Sequence, residues 1–282
     1  RNAYAKINLG LDVLRRREDG YHEVKMIMQT VDLFDTLTFT VREEPGVVLR
    51  IDTQELEAGA DNLVCRAADR LLGKAGVNQG WDIFLEKSIP IAAVMAGGCT
   101  DAASTLIGLN DLFGLGYSLE TLQDIGVTLG ADIPYCLMGG TALAEGIGEI
   151  LTRLPAPPQC VLTIAKPEIN VSTKFVYENL HADRIKEHPD IDGMAEAIRN
   201  GSLRGITDRL GNVLETVTVR EYPIIDEIRE LMMRSGAENA LMSGSGPTVF
   251  GIFTKKESAK WAAEQLRSRG LSGQVFVTGF HG

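Results

Sequence analysis

Pro90-Ile91-Ala92-Ala93-Val94-Met95-Ala96-Gly97-Gly98-Cys99-Thr100-Asp101-Ala102-Ala103 runs from a loop of small residues straight into a helical pattern. Ala92, Ala93, Ala96, Gly97 and Gly98 carry almost no bulk, so the backbone there can approach an anion and aim several N–H groups at it. From Ala102 the apolar positions Leu106, Leu109 and Phe113 recur at helical spacing. They predict an amphipathic helix, one stripe on a core, whose positive N-terminal end faces the loop. The stretch then reads as a phosphate cradle. Small residues also precede a helix that must sit tightly on a sheet, and other segments are needed to separate the two readings.

The 282 residues exceed the roughly 100–200 usual for one domain, so two domains, or one large one, are expected. An apolar fraction of 44% with 23% charged residues is ordinary globular composition and argues against a disordered or fibrous chain. No apolar run approaches the roughly 18 residues of a membrane span, and there is no signal-like start. A cytoplasmic location without membrane association is the expectation. The two Asn-x-Ser patterns, at Asn170 and Asn200, are read as chance. A net charge of −10 disfavours broad nucleic-acid binding, and the short basic run Arg15-Arg16-Arg17 is followed at once by Glu18 and Asp19. Cys65, Cys99, Cys136 and Cys160 are scattered without a C-x-x-C pair, which suggests reduced, mostly buried thiols and neither zinc nor a redox motif. The chain begins at Arg1 and not at a methionine, so a few residues are expected to precede it.

Alternation over residues 37–41 and 81–86 predicts strands, and apolar spacing predicts helices over 62–74 and 119–129. Pro155, Pro157 and Pro158 make a compositional break, followed by a buried-strand pattern over 161–165. A domain boundary is placed there, giving domains over 1–156 and 157–282. Helical stretches over 173–180, 194–199, 203–216, 223–235 and 258–269, with strands over 249–254 and 274–278, predict a second α+β domain. No repeat or low-complexity tract is present.

Several nucleotide and metal motifs are absent: G-x-x-x-x-G-K-[ST], G-x-G-x-x-G after a strand, and H-E-x-x-H. A phosphate site here has to use another glycine-rich pattern. In residues 3–13 strand-like alternation puts Lys6 and Asn8 on one face, which is either functional or the outer face of a solvated edge strand with a snorkelling lysine. Asp19-Gly20 marks a turn, and Tyr21-His22 after it offers a stacking ring beside an imidazole, suited to a planar heteroaromatic ligand. Asp132, two residues before Pro134, is either the N-cap of a short helix or a general base. Ser243-Gly244-Ser245-Gly246-Pro247-Thr248 is a second glycine-serine loop leading into a strand, or simply a turn.

Taken in order, A-Y-A-K-I-N-L, D-G-Y-H-E, I-P-x-A-A-x-x-A-G-G-x-x-D-A-A, G-A-D-I-P and L-M-S-G-S-G-P-T-V-F-G span the chain and resemble the GHMP kinase superfamily. The resemblance implies an α+β two-domain fold, with an N-terminal domain like domain 2 of ribosomal protein S5 and a ferredoxin-like C-terminal domain. The D-G-Y-H-E and A-K-I-N-L elements most resemble the branch acting in non-mevalonate isoprenoid synthesis, whose acceptor carries a cytidine diphosphate. On that resemblance the γ-phosphoryl of ATP goes to the 2-hydroxyl of a methylerythritol unit, with Asp132 as base and Lys6 close to it and to the acceptor hydroxyl. A cation there favours the ionised carboxylate and offsets charge on the transferring group.

Pro90, Ile91, Ala92, Ala93, Val94, Met95, Ala96, Gly97, Gly98, Cys99 and Thr100 would wrap the ATP phosphates, with Lys87 a further contact and Mg²⁺ bridging the phosphates. Tyr21 and His22 would recognise cytosine, Asn8 would touch the ligand, and Ser243, Gly244 and Ser245 would close the far wall of a cleft lined by both domains. The small-molecule substrate implies no nucleic-acid partner, and the chain would work as a monomer or weak homodimer. Relatives usually carry Gly where Val94 stands and Ser where Cys99 stands. A β-branched residue at positive φ adds strain of about 1–3 kcal/mol, and a thiol is a soft, poor partner for Mg²⁺, so Thr100 would supply the oxygen. Two alternatives stand beside this reading: another kinase of the superfamily, of homoserine or mevalonate type, against which residues 19–23 speak, and a non-catalytic descendant, against which Lys6 and Asp132 speak.

Overall fold

The computed structural model describes all residues, Arg1–Gly282. The chain forms two compact units. The first comprises Arg1–Ala5, Leu33–Ile89 and Ala96–Gly139, and the second Lys6–Asp32, Pro90–Met95 and Gly140–Gly282. Strands β1 (Asn2–Arg16) and β2 (His22–Arg42) each give residues to both.

In the first unit the later part of β2 pairs antiparallel with β4 (Gly80–Glu86), and β4 pairs parallel with β3 (Val47–Ile51). Trp81, Ile83 and Leu85 of β4 point into a core shared with α1 (Leu63–Ala75), α2 (Gly97–Leu112), α3 (Leu119–Val127) and α4 (Ile133–Met138). Phe84 and Glu86 face out, as the alternation predicts. Helix α1 starts where the Asn62 side chain accepts a hydrogen bond from Val64 N–H, and it ends at Gly76 in the left-handed region.

Helix α2 is not amphipathic. Every residue from Thr100 to Leu106 is buried, because the helix lies between α1, α4 and the sheet. Gly108 permits that approach: a Cβ there would sit 2.8 Å from the Phe39 ring. Phe113 is the C-cap residue and meets Trp81 edge-on, with ring centroids 4.7 Å apart.

In the second unit β5 (Thr141–Glu145) pairs antiparallel with β2 over Met26–Gln29 and with β6 (Ile150–Leu154), while β8 (Gly211–Asn212) runs parallel to β1 at Gly10 and Leu11. Residues 155–160 link β6 to β7 (Val161–Lys166), where a separate antiparallel sheet begins. It contains β9 (Asn239–Met242), β10 (Val249–Phe253) and β11 (Gln274–Thr278) in the order β11-β7-β10-β9. Every residue of the interior strand β10 is buried. Helices α9 (Ile224–Arg234) and α10 (Lys256–Ser268) pack on this sheet through Ile228, Met232, Ala259 and Ala263. Helices between β7 and β9 and between β10 and β11 complete the β-α-β-β-α-β order of a ferredoxin-like unit.

Helices α5 (Thr173–Asn179) and α6 (Ile191–Arg199) follow the predicted spacing, α6 starting earlier because the Asp190 side chain caps Gly193 N–H. The single helix expected over 203–216 is instead α7 (Leu203–Thr207), β8 and α8 (Glu215–Glu221). Tertiary partners break it: Gly211 pairs with Gly10, Val213 N–H donates to Leu11 C=O at 3.1 Å, and the Asn212 amide donates to Met242 and Gly244 carbonyls at 2.9 and 2.7 Å. No helix is long and apolar enough to cross a membrane.

Leu106, fully buried, and Asn62 separate core packing from capping. In urea unfolding, Leu106→Ala is expected to cost about 2–5 kcal/mol and Asn62→Ala about 1 kcal/mol. Equal losses would contradict this description of the first unit.

Candidate active site

The backbone of residues 91–97 alternates in the sign of φ. Ala92, Val94 and Ala96 have φ of 54°, 55° and 59°, and the residues between them stay negative. Alternating handedness of this kind is what builds an anion-binding nest, since neighbouring N–H groups then converge. The loop is pinned on either side of Val94. Thr248 Oγ1 donates to Ala93 C=O at 2.7 Å, and Lys6 N–H donates to Met95 C=O at 3.1 Å. Val94 therefore holds a left-handed conformation that a β-branched residue rarely adopts. A Cβ on Gly244 would lie 2.8 Å from Val94 Cγ1 and 3.3 Å from Asn8 Oδ1, so the Val94 side chain is packed against this turn.

Helix α2 starts at Ala96, which has no side-chain cap, and Thr100 N–H closes the first turn onto Ala96 C=O at 2.8 Å. Helices α1, α3, α5 and α6 are capped by Asn62, Ser118, Ser172 and Asp190 side chains. At α2 no side chain caps the first amides, so Gly97 and Gly98 at its head present bare backbone to another acceptor.

Lys6 and Asn8 do share a face of β1, but that face is buried, which excludes the solvated-edge alternative. Lys6 is 4% exposed and Asn8 1%. Lys6 Nζ donates to Asn8 Oδ1 at 2.9 Å, and Asn8 N–H donates to Ser243 Oγ at 3.1 Å. The turn from Ser243 to Thr248 is equally constrained. Ser243 N–H bonds Thr248 C=O at 2.8 Å, Ser245 Oγ lies 2.8 Å from Thr173 Oγ1, and Thr218 Oγ1 donates to Ser245 C=O at 3.2 Å. A flexible glycine-serine loop in composition is thus a rigid buried turn, because each hydroxyl has a partner.

At the end of β1 the Asp19 carboxylate accepts Tyr21 N–H at 3.1 Å and Gly20 takes φ 88°, so the turn leaves the Tyr21 side chain 61% exposed. Tyr21 and His22 line a cavity of about 370 Å³ together with Arg16, Lys174, Tyr177 and Glu178. The rings of His22 and Tyr177 are 5.1 Å apart. Tyr177 comes from α5, far along the chain, and no sequence spacing marks it. Burial, aided by the Arg16 charge, pushes the His22 pKa below its ordinary value, so its imidazole is neutral at pH 7.

Asp132 precedes α4 with helical φ and ψ and makes no cap bond through its side chain, so capping does not account for it. Pro134 lies in the first turn of α4, as its position predicts. The turn carrying Asp132 packs on the start of α2: a Cβ on Gly130 would be 3.5 Å from Cys99 Sγ. Lys87 is engaged by two buried carboxylates, Asp35 and Asp101, neither of which local sequence singles out as its partner. No group of three or more His, Cys, Asp or Glu residues is placed to hold a metal ion.

The GHMP kinase N-terminal domain family matches residues 62–140 and the GHMP kinase C-terminal family residues 188–271. A 4-diphosphocytidyl-2-C-methyl-D-erythritol kinase of Lachnospira eligens is 51% identical over 276 residues, 98% of this chain and 96% of the relative. A crystal structure of a 4-(cytidine 5'-diphospho)-2C-methyl-D-erythritol kinase superposes with a TM-score of 0.87 at 34% identity, covering 100% of this chain and 99% of the other. The homoserine kinase of Cytophaga hutchinsonii, at TM-score 0.74 and 21% identity over 98% of this chain and 94% of that one, shares the fold. With both domains matched and half of all residues identical along nearly the whole length, the chain belongs to the GHMP kinases, in the family of the 4-diphosphocytidyl-2-C-methyl-D-erythritol kinases.

Proposed function

We propose that this chain is an ATP-dependent kinase that phosphorylates the 2-hydroxyl of 4-diphosphocytidyl-2-C-methyl-D-erythritol in non-mevalonate isoprenoid precursor synthesis. The observation that carries the reading is the near full-length likeness to kinases named for that substrate, joined to the aromatic cavity behind the Asp19-Gly20 turn. Tyr21 and Tyr177 offer faces for a planar base, and a neutral His22 can both donate and accept a hydrogen bond. The domains are proposed as 1–156 and 157–282, meeting where residues 155–160 pass from β6 to β7.

In this reading Asp132 removes the proton from the acceptor hydroxyl, and Lys6, held by Asn8, supplies positive charge for the transferring group. The nest at residues 91–97 and the amides of Gly97 and Gly98 hold the nucleotide phosphates. Asn8 and Ser243 to Ser245 shape the acceptor side, their positions fixed by the bonds from Asn212 and Thr173. Thr100, in the first turn of α2, would offer Mg²⁺ one hard hydroxyl, with the phosphate oxygens supplying the other donors. When bound, the ion neutralises phosphate charge.

A coupled ADP-release assay with the cytidine substrate, homoserine and mevalonate tests the assignment: ADP release with the first alone is expected, and release with either rival alone overturns it. Asp132→Ala is expected to lower kcat by about 10²–10⁴-fold with ATP binding still measurable by calorimetry. Val94→Gly relieves backbone strain of about 1–3 kcal/mol and Cys99→Ser restores a hydroxyl, so kcat/KM for ATP should rise in at least one; no gain in either sinks the idea. Because the His22 pKa is lowered, KM for the cytidine substrate should be flat across the neutral range and climb only on acidification past the ordinary histidine range. A KM that changes across the neutral range would show that His22 does not read the base in its neutral form.

A further inference from the structure

Three charges are buried together in the first unit. The side chains of Lys87, Asp35 and Asp101 are 7%, 0% and 3% exposed. Lys87 Nζ donates to both carboxylates, at 2.9 Å for Asp101. Asp35 is further fixed because its other oxygen accepts N–H bonds from Ser88 at 2.6 Å and Ile89 at 2.8 Å. Asp101 is not: its Oδ1 is buried without any hydrogen-bond partner. A buried carboxylate with an orphan oxygen is costly, so packing alone gives no reason to keep it where a neutral isostere would fit.

The electrostatics agree. Two carboxylates share one ammonium, leaving a net negative charge when both are ionised. Burial, with the Asp35 charge adding to it and Lys87 opposing, pushes the Asp101 carboxyl up to about 7. Lys87 is shifted the other way from what burial alone would do, its charge secured by Asp101 and Asp35.

The location gives the cluster a use. Asp101 is in the second turn of α2, and Gly97 at the head of that helix lies so near the ammonium that a Cβ there would be 3.3 Å from Lys87 Nζ. A lysine ammonium has three donors. Two are taken by the carboxylates, and the third remains beside the bare backbone at the start of α2.

We propose that Asp35 and Asp101 are positioning residues that clamp the Lys87 ammonium against the head of α2, so that its remaining donor meets the phosphates of the nucleotide. The proposal rests on the reading of α2 as the ATP helix. Asp101 touches no reactant in it; it acts through Lys87 and fixes where one positive charge stands before ATP arrives. A lysine held in this way loses little side-chain freedom on binding, so the gain appears as nucleotide affinity and not as a faster chemical step.

The test compares wild type, Asp101→Asn, Lys87→Met and the double variant for ADP release and thermal stability. Asp101→Asn should raise KM for ATP about tenfold while kcat and KM for the cytidine substrate stay within about twofold. Its Tm should be unchanged or higher, because neutralising one of two carboxylates leaves a balanced pair. In the Lys87→Met background the same substitution should leave KM for ATP unchanged. If Lys87→Met does not fold, with two carboxylates then unpaired, Lys87→Met/Asp35→Asn serves as the background.

A tenfold effect that persists without Lys87, a parallel fall in kcat with a lowered Tm, or no change in KM would each overturn the proposal. Absence of ADP release by wild type overturns the kinase reading and the inference with it, whereas an active wild type with an unaffected Asp101→Asn variant overturns the inference alone.

Discussion

Backbone amides at the head of a buried helix need an acceptor, and α2 lacks a side-chain cap to provide one. Much of the first unit follows from that constraint. Residues before the helix must be small for their N–H groups to converge, the helix must be packed firmly enough to hold its first turn in place, and any nearby charge must be fixed in advance. Burial of α2 from Thr100 to Leu106, Gly108 against Phe39 and the clamped Lys87 meet those needs. Cys99, in the same first turn, also touches the turn that bears Asp132, so helix head and proposed base are set by one piece of packing.

The second unit handles polar groups by the same physics with a different outcome. Lys6, Asn8, Ser243 and Thr248 are buried, and each is bonded to a neighbour or to the backbone of residues 90–95. In a low-dielectric interior such bonds are costly to leave unmade, so they hold a glycine-rich turn and a strained loop in one shape. Val94 is the exception to local preference, a β-branched residue at φ 55° maintained by the bonds on both sides of it. Strain of that sort persists where surrounding structure over-determines the backbone.

Legibility varied with the range of the deciding interaction. The helix from Leu63 and the strand from Gly80 could be read because periodicity and capping act within a few residues, whereas β9 (Asn239–Met242), four residues long and paired only to β10, left no pattern of its own. The stretch 203–216 misled because Gly211 and Asn212 serve β1 and the 243–248 turn, which no local pattern announces. The amphipathic reading of α2 failed for the same reason: three apolar positions were visible, but the neighbours that bury Asp101, Ser104 and Thr105 come from elsewhere in the chain. Tyr177, Asp35 and Asp101 were silent as partners, since nothing in their own segments tells which distant ring or ammonium they meet.

By itself the sequence determined the long helices and strands with clear periodicity, the order of the glycine-rich segments and the family they resemble, because backbone freedom, periodicity and motif order are properties of short stretches. Tertiary structure decided which polar residues are buried, that Lys6 binds Asn8, and that Lys87 sits between Asp35 and Asp101. Those outcomes depend on desolvation and on charges brought together across tens of residues, and neither exists until the chain has packed.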